Sequence, residues 1–177
     1  MRFLTTSLIA ALAACSLSSC SFVFGLFEPK PREYNINVGY DPSTVESFRV
    51  FPSVEVDVVE ANDALTKQLE QVDIDDYFDP DNTLRTAMRK RTFCFSEEDN
   101  ADKKLLKDNP VWKTWLKKRG ATHVVLLVNL PRDGAKGPDM RKLVLPLTSD
   151  RWEGDDIDVS IIPAGFLLQT PMVPEED

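Results

Sequence analysis

The chain has 177 residues, a formal net charge of -8, 42% hydrophobic residues and 28% charged ones. That balance excludes a disordered chain, and the negative charge argues against nucleic acid as a partner and against electrostatic adhesion to an anionic membrane. What remains is a length suited to one globular domain with a real core.

Met1-Arg2 is a minimal positive start, and residues 3–14 (FLTTSLIAALAA) are apolar or small throughout. Such a run suits a signal peptide and is too short to cross a hydrocarbon layer of roughly 30 Å. Two tetrapeptides follow, Leu12-Ala13-Ala14-Cys15 and Leu17-Ser18-Ser19-Cys20, and both resemble the lipobox of bacterial lipoproteins. Small side chains admit the peptidase, and the thiol takes a diacylglyceryl group before cleavage frees the amine for a third acyl chain. Cys20 is the favoured lipid site because it gives the more ordinary signal length; Cys15, the better local match, is the alternative. At about 0.8 kcal/mol per buried methylene, two acyl chains already hold a protein stably at a membrane. Ser21 after Cys20 resembles the outer-membrane sorting default of enteric bacteria, which implies the periplasmic face of the outer membrane. The expected organisation is a lipoprotein signal peptide at 1–19, a lipidated tether at 20–33, a domain at 34–172 and an acidic tail at 173–177.

Tyr34 to Val38 alternates weakly and is expected as a first edge strand. Asp41-Pro42-Ser43 is expected to turn the chain into a second strand at Phe48 to Phe51. Residues 53–60 (SVEVDVVE) make the clearest half-buried strand, with Val54, Val56 and Val58 inward and Glu55 and Asp57 outward. Asn62 or Asp63 caps a helix to Val72 through Leu65 and Leu69, Asn82 caps a further short turn, and Arg91 to Phe95 returns to strand. Asn109-Pro110 opens a second helix, whose apolar face is Val111, Trp112, Trp115 and Leu116; Lys117-Lys118-Arg119 complements its dipole and Gly120 stops it. Residues 122–130 (THVVLLVNL) are apolar almost without a break, as in a central strand covered on both faces. Arg141 to Leu147, Ile157 to Ile162 and Phe166 to Leu168 complete the strands. Strands spaced by turns, with two helices inserted, predict a mainly β fold: an antiparallel β-sandwich with two peripheral helices.

Chemistry-bearing groups are sparse. Asp73, Asp75, Asp76, Asp79 and Asp81 are a weak calcium candidate, because an EF-hand also needs a glycine at its turn and a closing glutamate. The alternatives are aspartates that cap turns while Tyr77, Phe78 and Leu84 pack inward, or a partner-facing surface. Trp112 and Trp115 suit a core face better than a sugar platform, and Trp152 a strand end that closes the core. Cys94 lacks an obvious mate and is expected buried in a strand. With one histidine, His123, in an apolar strand, no phosphate loop and no paired-cysteine motif, no catalytic residue, enzyme activity or cofactor is expected.

Taken in order, the strand at 53–60, the acidic and aromatic helical stretch at 61–78, the apolar strand and charged turn at 122–132 and Arg151-Trp152 resemble the outer-membrane lipoproteins of the type VI secretion system. The early strand ends Asp57-Val58-Val59-Glu60-Ala61, without that family's usual aromatic-Gln-Leu ending, and the helix from Asn109 to Gly120 is an addition. The resemblance implies a transthyretin-like sandwich that is a structural subunit of a trans-envelope complex. Its partner would be the periplasmic domain of an inner-membrane protein, met by loops at one end. The alternative is a lipoprotein binding module for a small ligand, glycan or calcium.

Overall fold

The computed structural model describes residues 29–132 and 137–174. The proposed signal peptide, Cys15 and Cys20 lie outside the described residues. Eight strands form two four-stranded sheets. They are β1 (Asn35–Tyr40), β2 (Val54–Ala61), β3 (Lys90–Phe95), β4 (Lys103–Leu105), β5 (His123–Val128), β6 (Lys142–Pro146), β7 (Asp156–Ile162) and β8 (Gly165–Leu168). One sheet runs β4-β1-β7-β8 and the other β3-β2-β5-β6. The expected sandwich is therefore present, with one pairing that alternation does not reveal: β1 lies parallel to β7, while every other strand pair is antiparallel.

Between the sheets lies one large core. Ile36 and Val38 of β1, Val54, Val56 and Val58 of β2, Val124, Leu126 and Val128 of β5, and Ile157, Val159 and Ile161 of β7 meet there. Each set repeats every second residue, the period by which a strand sends side chains to one face. Trp112, Trp115 and Trp152 are all buried in this core. The indole N–H of Trp112 donates to the Leu106 carbonyl at 3.0 Å and that of Trp152 to the Pro146 carbonyl at 2.7 Å, so neither polar edge is buried unpaired.

The outer face of the β3-β2-β5-β6 sheet is covered over β2 and β5. Helices α2 (Asp63–Gln71), α3 (Ile74–Tyr77) and α4 (Thr83–Ala87) lie over it. A second cluster forms there from Val59, Ala61, Leu69, Ile74, Tyr77, Phe78, Val125 and Leu127. This explains why residues 122–130 read as continuously apolar. It also corrects the outward placement of Asp57, which is fully buried. Asn62 caps α2 by accepting from Leu65 N, and Asn82 caps α4 by accepting from Arg85 N, as their sequence positions predict.

Four expectations need correction. The segment at Phe48 to Phe51 is not a strand, because a helix, α1 (Pro42–Phe48), occupies the stretch before it. Asp41 caps that helix by accepting from Ser43 N, Pro42 takes its first turn, and Arg49 ends it in the left-handed conformation. β1 is an interior strand, not an edge, since β4 and β7 flank it. Cys94 is exposed: β3 is an edge strand, and its alternation turns Phe93 and Phe95 inward and Cys94 out. The helices number more than two. The last, α5, is centred on a π-helical turn at Lys113–Lys118 and is followed by Gly120 at φ 66°.

The strand directions sort the connections into two ends. At one end sit α1 with residues 49–53, the loop at 96–102, residues 129–132 and 137–141, and the turn at 163–164. At the other end sit α5, the start of α2, residues 148–155 and the N-terminal stretch. The chain is already bonded to the domain within the stretch assigned to the tether. Pro31 bridges Thr148, and Arg32 N donates to the Leu147 carbonyl at 2.9 Å. Val173 N likewise donates to the Arg151 carbonyl at 2.9 Å.

Candidate interaction surface

Two buried ion networks fix the helical layer to the sheet. In the first, the Asp57 carboxylate accepts from Arg85 Nε at 2.8 Å, Tyr77 Oη at 3.0 Å and Thr92 Oγ1 at 2.6 Å. Arg85 also donates to Glu55 at 2.7 Å and stacks 4.5 Å over the Phe78 ring. Desolvation by burial opposes the Arg85 charge, but hydrogen bonds to Asp57 and Glu55 outweigh it and push its pKa up. Burial, reinforced by the Asp57 charge, raises Tyr77 as well, so its hydroxyl stays a donor. In the second network Arg141, 1% exposed, donates to Asp139 at 2.8 Å, to Asp75 at 2.6 Å and to the Leu130 carbonyl at 2.9 Å. The hydrogen bond from Arg141 holds the Asp139 carboxyl below the usual carboxylate range.

These networks account for part of the acidic stretch. Asp73 caps α3, accepting from Asp75 N and Asp76 N, and Asp79 accepts from Asp81 N. Asp75 is spent on Arg141, while Asp76 and Asp81 stay exposed on the surface. Tyr77 and Phe78 are buried and Leu84 packs beside them. The structure thus distributes the five aspartates among caps, an ion pair and solvent, and no group of three or more metal-ligating side chains converges among the described residues.

Sequence reasoning missed Asp57 and Arg85 as a pair. The signal was present: alternation in the strand breaks at Val58-Val59, which marks a face covered on both sides. It missed Arg141 for a different reason, since nothing local shows that a charge at a strand end will be buried.

The end that carries α1 is acidic. Its loop at 96–102 holds exposed Glu97, Glu98, Asp99 and Asp102. At the same end Val50 is 65% exposed and Met140 42%, as Leu106 (49%) and Met172 (40%) are at the other. Exposed apolar groups rimmed by charge are the composition of a protein contact more than of a solvated loop. No described helix is long and apolar enough to cross a membrane.

Similarity to known proteins lies in the structure. No family model matches the sequence, and neither does any curated protein. A solved chain of a type VI membrane complex superposes with a TM-score of 0.54 at 12% identity, over 82% of this chain and 100% of that one. The C-terminal domain of the type VI secretion protein TssM from EAEC superposes at 0.50 and 16% identity, over 77% of this chain and 98% of that domain. Lip, a membrane-bound type VI secretion component from Serratia marcescens, follows at 0.48 and 12% identity, over 83% and 99%. The chain shares its fold with type VI secretion proteins. The sandwich expected from the order of strands and helices is the one observed.

Proposed function

We propose that the protein is a lipid-anchored structural subunit of a type VI secretion-like trans-envelope complex, that it is not an enzyme, and that it works by binding the periplasmic domain of an inner-membrane protein. The observation that carries this reading is the likeness to a type VI membrane-complex chain along that chain's whole length. The lipobox at Leu17-Ser18-Ser19-Cys20, with Leu12-Ala13-Ala14-Cys15 as its alternative, supports the anchor. Division of the molecule into two ends supports the geometry. The N-terminal stretch joins the domain at one end, and the acidic loops with Val50 and Met140 stand at the other. A lipid held in the outer membrane would leave that far end free to meet a partner rising from the inner membrane.

Affinity capture from detergent-solubilised envelopes, with the native lipoprotein as bait and a Cys15→Ser/Cys20→Ser chain as control, tests it. The expected result is recovery of an inner-membrane protein with a periplasmic domain, by a contact burying roughly 1,200–2,000 Å² and associating more slowly as salt rises. Mass spectrometry of the mature N-terminal peptide should show acyl chains on Cys20. An unmodified N-terminus removes the anchor. Recovery of nothing, with tight binding of a soluble glycan or calcium, moves the assignment to a ligand-binding lipoprotein.

A further inference from the structure

One buried acid belongs to neither ion network. Glu60, at the end of β2, is 8% exposed, and its Oε2 is buried with no hydrogen-bond partner. Its Oε1 has Arg89 Nε at 4.0 Å, beyond hydrogen-bond reach. An unpaired buried carboxylate oxygen is costly, and a fold that keeps one calls for an explanation. Glu60 also walls a cavity of about 160 Å³ together with Ala61, Asn62, Leu65, Arg119 and Ala121. Burial raises its pKa, against the opposing pull of Arg119 and Arg89. The pocket therefore offers an acceptor without a donor, beside a cation.

Its surroundings narrow the ligand. Ala121 also lines a neighbouring groove of about 560 Å³, whose other walls include Lys30, Pro31, Glu33, Leu116 and Lys117. This groove sits where the N-terminal stretch joins the domain, the end that the proposed lipid tether holds at the membrane. A group that suits both walls must donate N–H hydrogen bonds to Glu60 and present an anion to Arg119, with two lysines, one glutamate and apolar surface leading away. Phosphoethanolamine has that pattern: a primary ammonium and a phosphate, two carbons apart, on an acyl-bearing stem. The torsion that orients a glutamate carboxylate is soft, so either oxygen can turn to the ammonium.

We infer that the Glu60–Arg119 pocket binds the headgroup of an aminophospholipid, ammonium on Glu60 and phosphate on Arg119, and so sets the domain upright on the membrane that anchors it. This rests on the tether reading above. Phosphocholine supplies the decisive comparison, because it carries the same charges but no N–H to satisfy the carboxylate.

The test is ligand-observed saturation-transfer NMR on the processed chain, purified in dodecyl maltoside, with O-phosphoethanolamine as probe and phosphocholine as control. Phosphoethanolamine should bind saturably with a Kd in the millimolar range, as suits so small a ligand, and about tenfold more tightly than phosphocholine. Glu60→Gln should abolish that preference while melting at or above the parent temperature, because the unpaired charge is gone. Arg119→Ala, at an exposed position, should weaken both probes about fivefold. Equal binding of the two probes, no saturation, or an unchanged preference in Glu60→Gln overturns the assignment, as does a large loss of stability in that variant. The N-terminal mass on the same sample reports the tether separately. Headgroup selectivity with an unlipidated N-terminus would keep the pocket and remove the anchor, and a lipidated N-terminus without selectivity would do the reverse.

Discussion

Asp57 and Arg85 show how a buried charge is held by partners the strand itself does not supply. Three donors from three elements converge on one carboxylate that has no access to water. Arg85→Met leaves that carboxylate with two hydroxyl donors and no counter-charge, and should cost about 3–5 kcal/mol in urea unfolding. The double variant Asp57→Leu/Arg85→Met should recover much of the loss, because the price lies in the orphaned charge. Arg141 makes the same point with a pH signature. Its partner Asp139 has a depressed pKa in the folded state, below the ordinary value of 3.8. That group's stabilisation is therefore fully present above the unfolded value and is lost as pH falls through the folded one. Melting temperatures taken downward from pH 5 should fall more gently for Arg141→Met than for the parent, from a lower start. Parallel curves would show that the pair does not drive acid unfolding.

Among elements, those with signals written locally were the legible ones. Asn62 and Asn82 cap helices because their side chains reach backbone donors three residues on, and β2 and β5 carry their apolar pattern in their own sequence. α1 was misread because Phe48-Arg49-Val50-Phe51 looks like strand, while the cap at Asp41 and the proline after it determine a helix just upstream. β4 is three residues long and carries no period at all. Parallel pairing of β1 with β7 could not be read locally, since it depends on residues far apart in the chain. The acidic stretch was half legible: the character of residues 73–82 was plain, but their division among caps, Arg141 and solvent was not. The position and apolar face of α5 were legible, its π-helical winding was not, and it gives a clean test. Trp112 and Trp115 pack edge to face at 5.4 Å within the core. Trp115→Ala should destabilise by about 3–5 kcal/mol in chemical unfolding. An unchanged midpoint would mean that α5 contributes no core packing.

At the scale of the whole molecule, the proposed function divides between the ends of the sandwich. Val50→Asp with Met140→Asp alters only exposed side chains at the loop end, so folding should be untouched while partner recovery in the capture experiment drops about tenfold or more. Undiminished recovery would move the contact to another face. The sheets are also closed unequally. On one side Phe166 N of β8 donates to the Met140 carbonyl just before β6, at 2.8 Å, and Gly165 sits so close to that carbonyl that any Cβ would collide with it. On the other side β3 and β4 are edge strands dressed with lysine and arginine, and β4 is only three residues long, which discourages strand-to-strand aggregation.

The parallel pair carries a consequence in time. Asn35 and Asp156 are 121 positions apart and lie side by side in the finished sheet. A polypeptide that emerges N-terminus first delivers β1 early and the strand that must flank it almost last. Until then Ile36 and Val38 have no sheet to join on that side, and contacts so distant in sequence form slowly. The domain therefore cannot lock before β7 has emerged. Completion waits on the last quarter of the chain, so a truncation there would forfeit the first strand along with the missing ones.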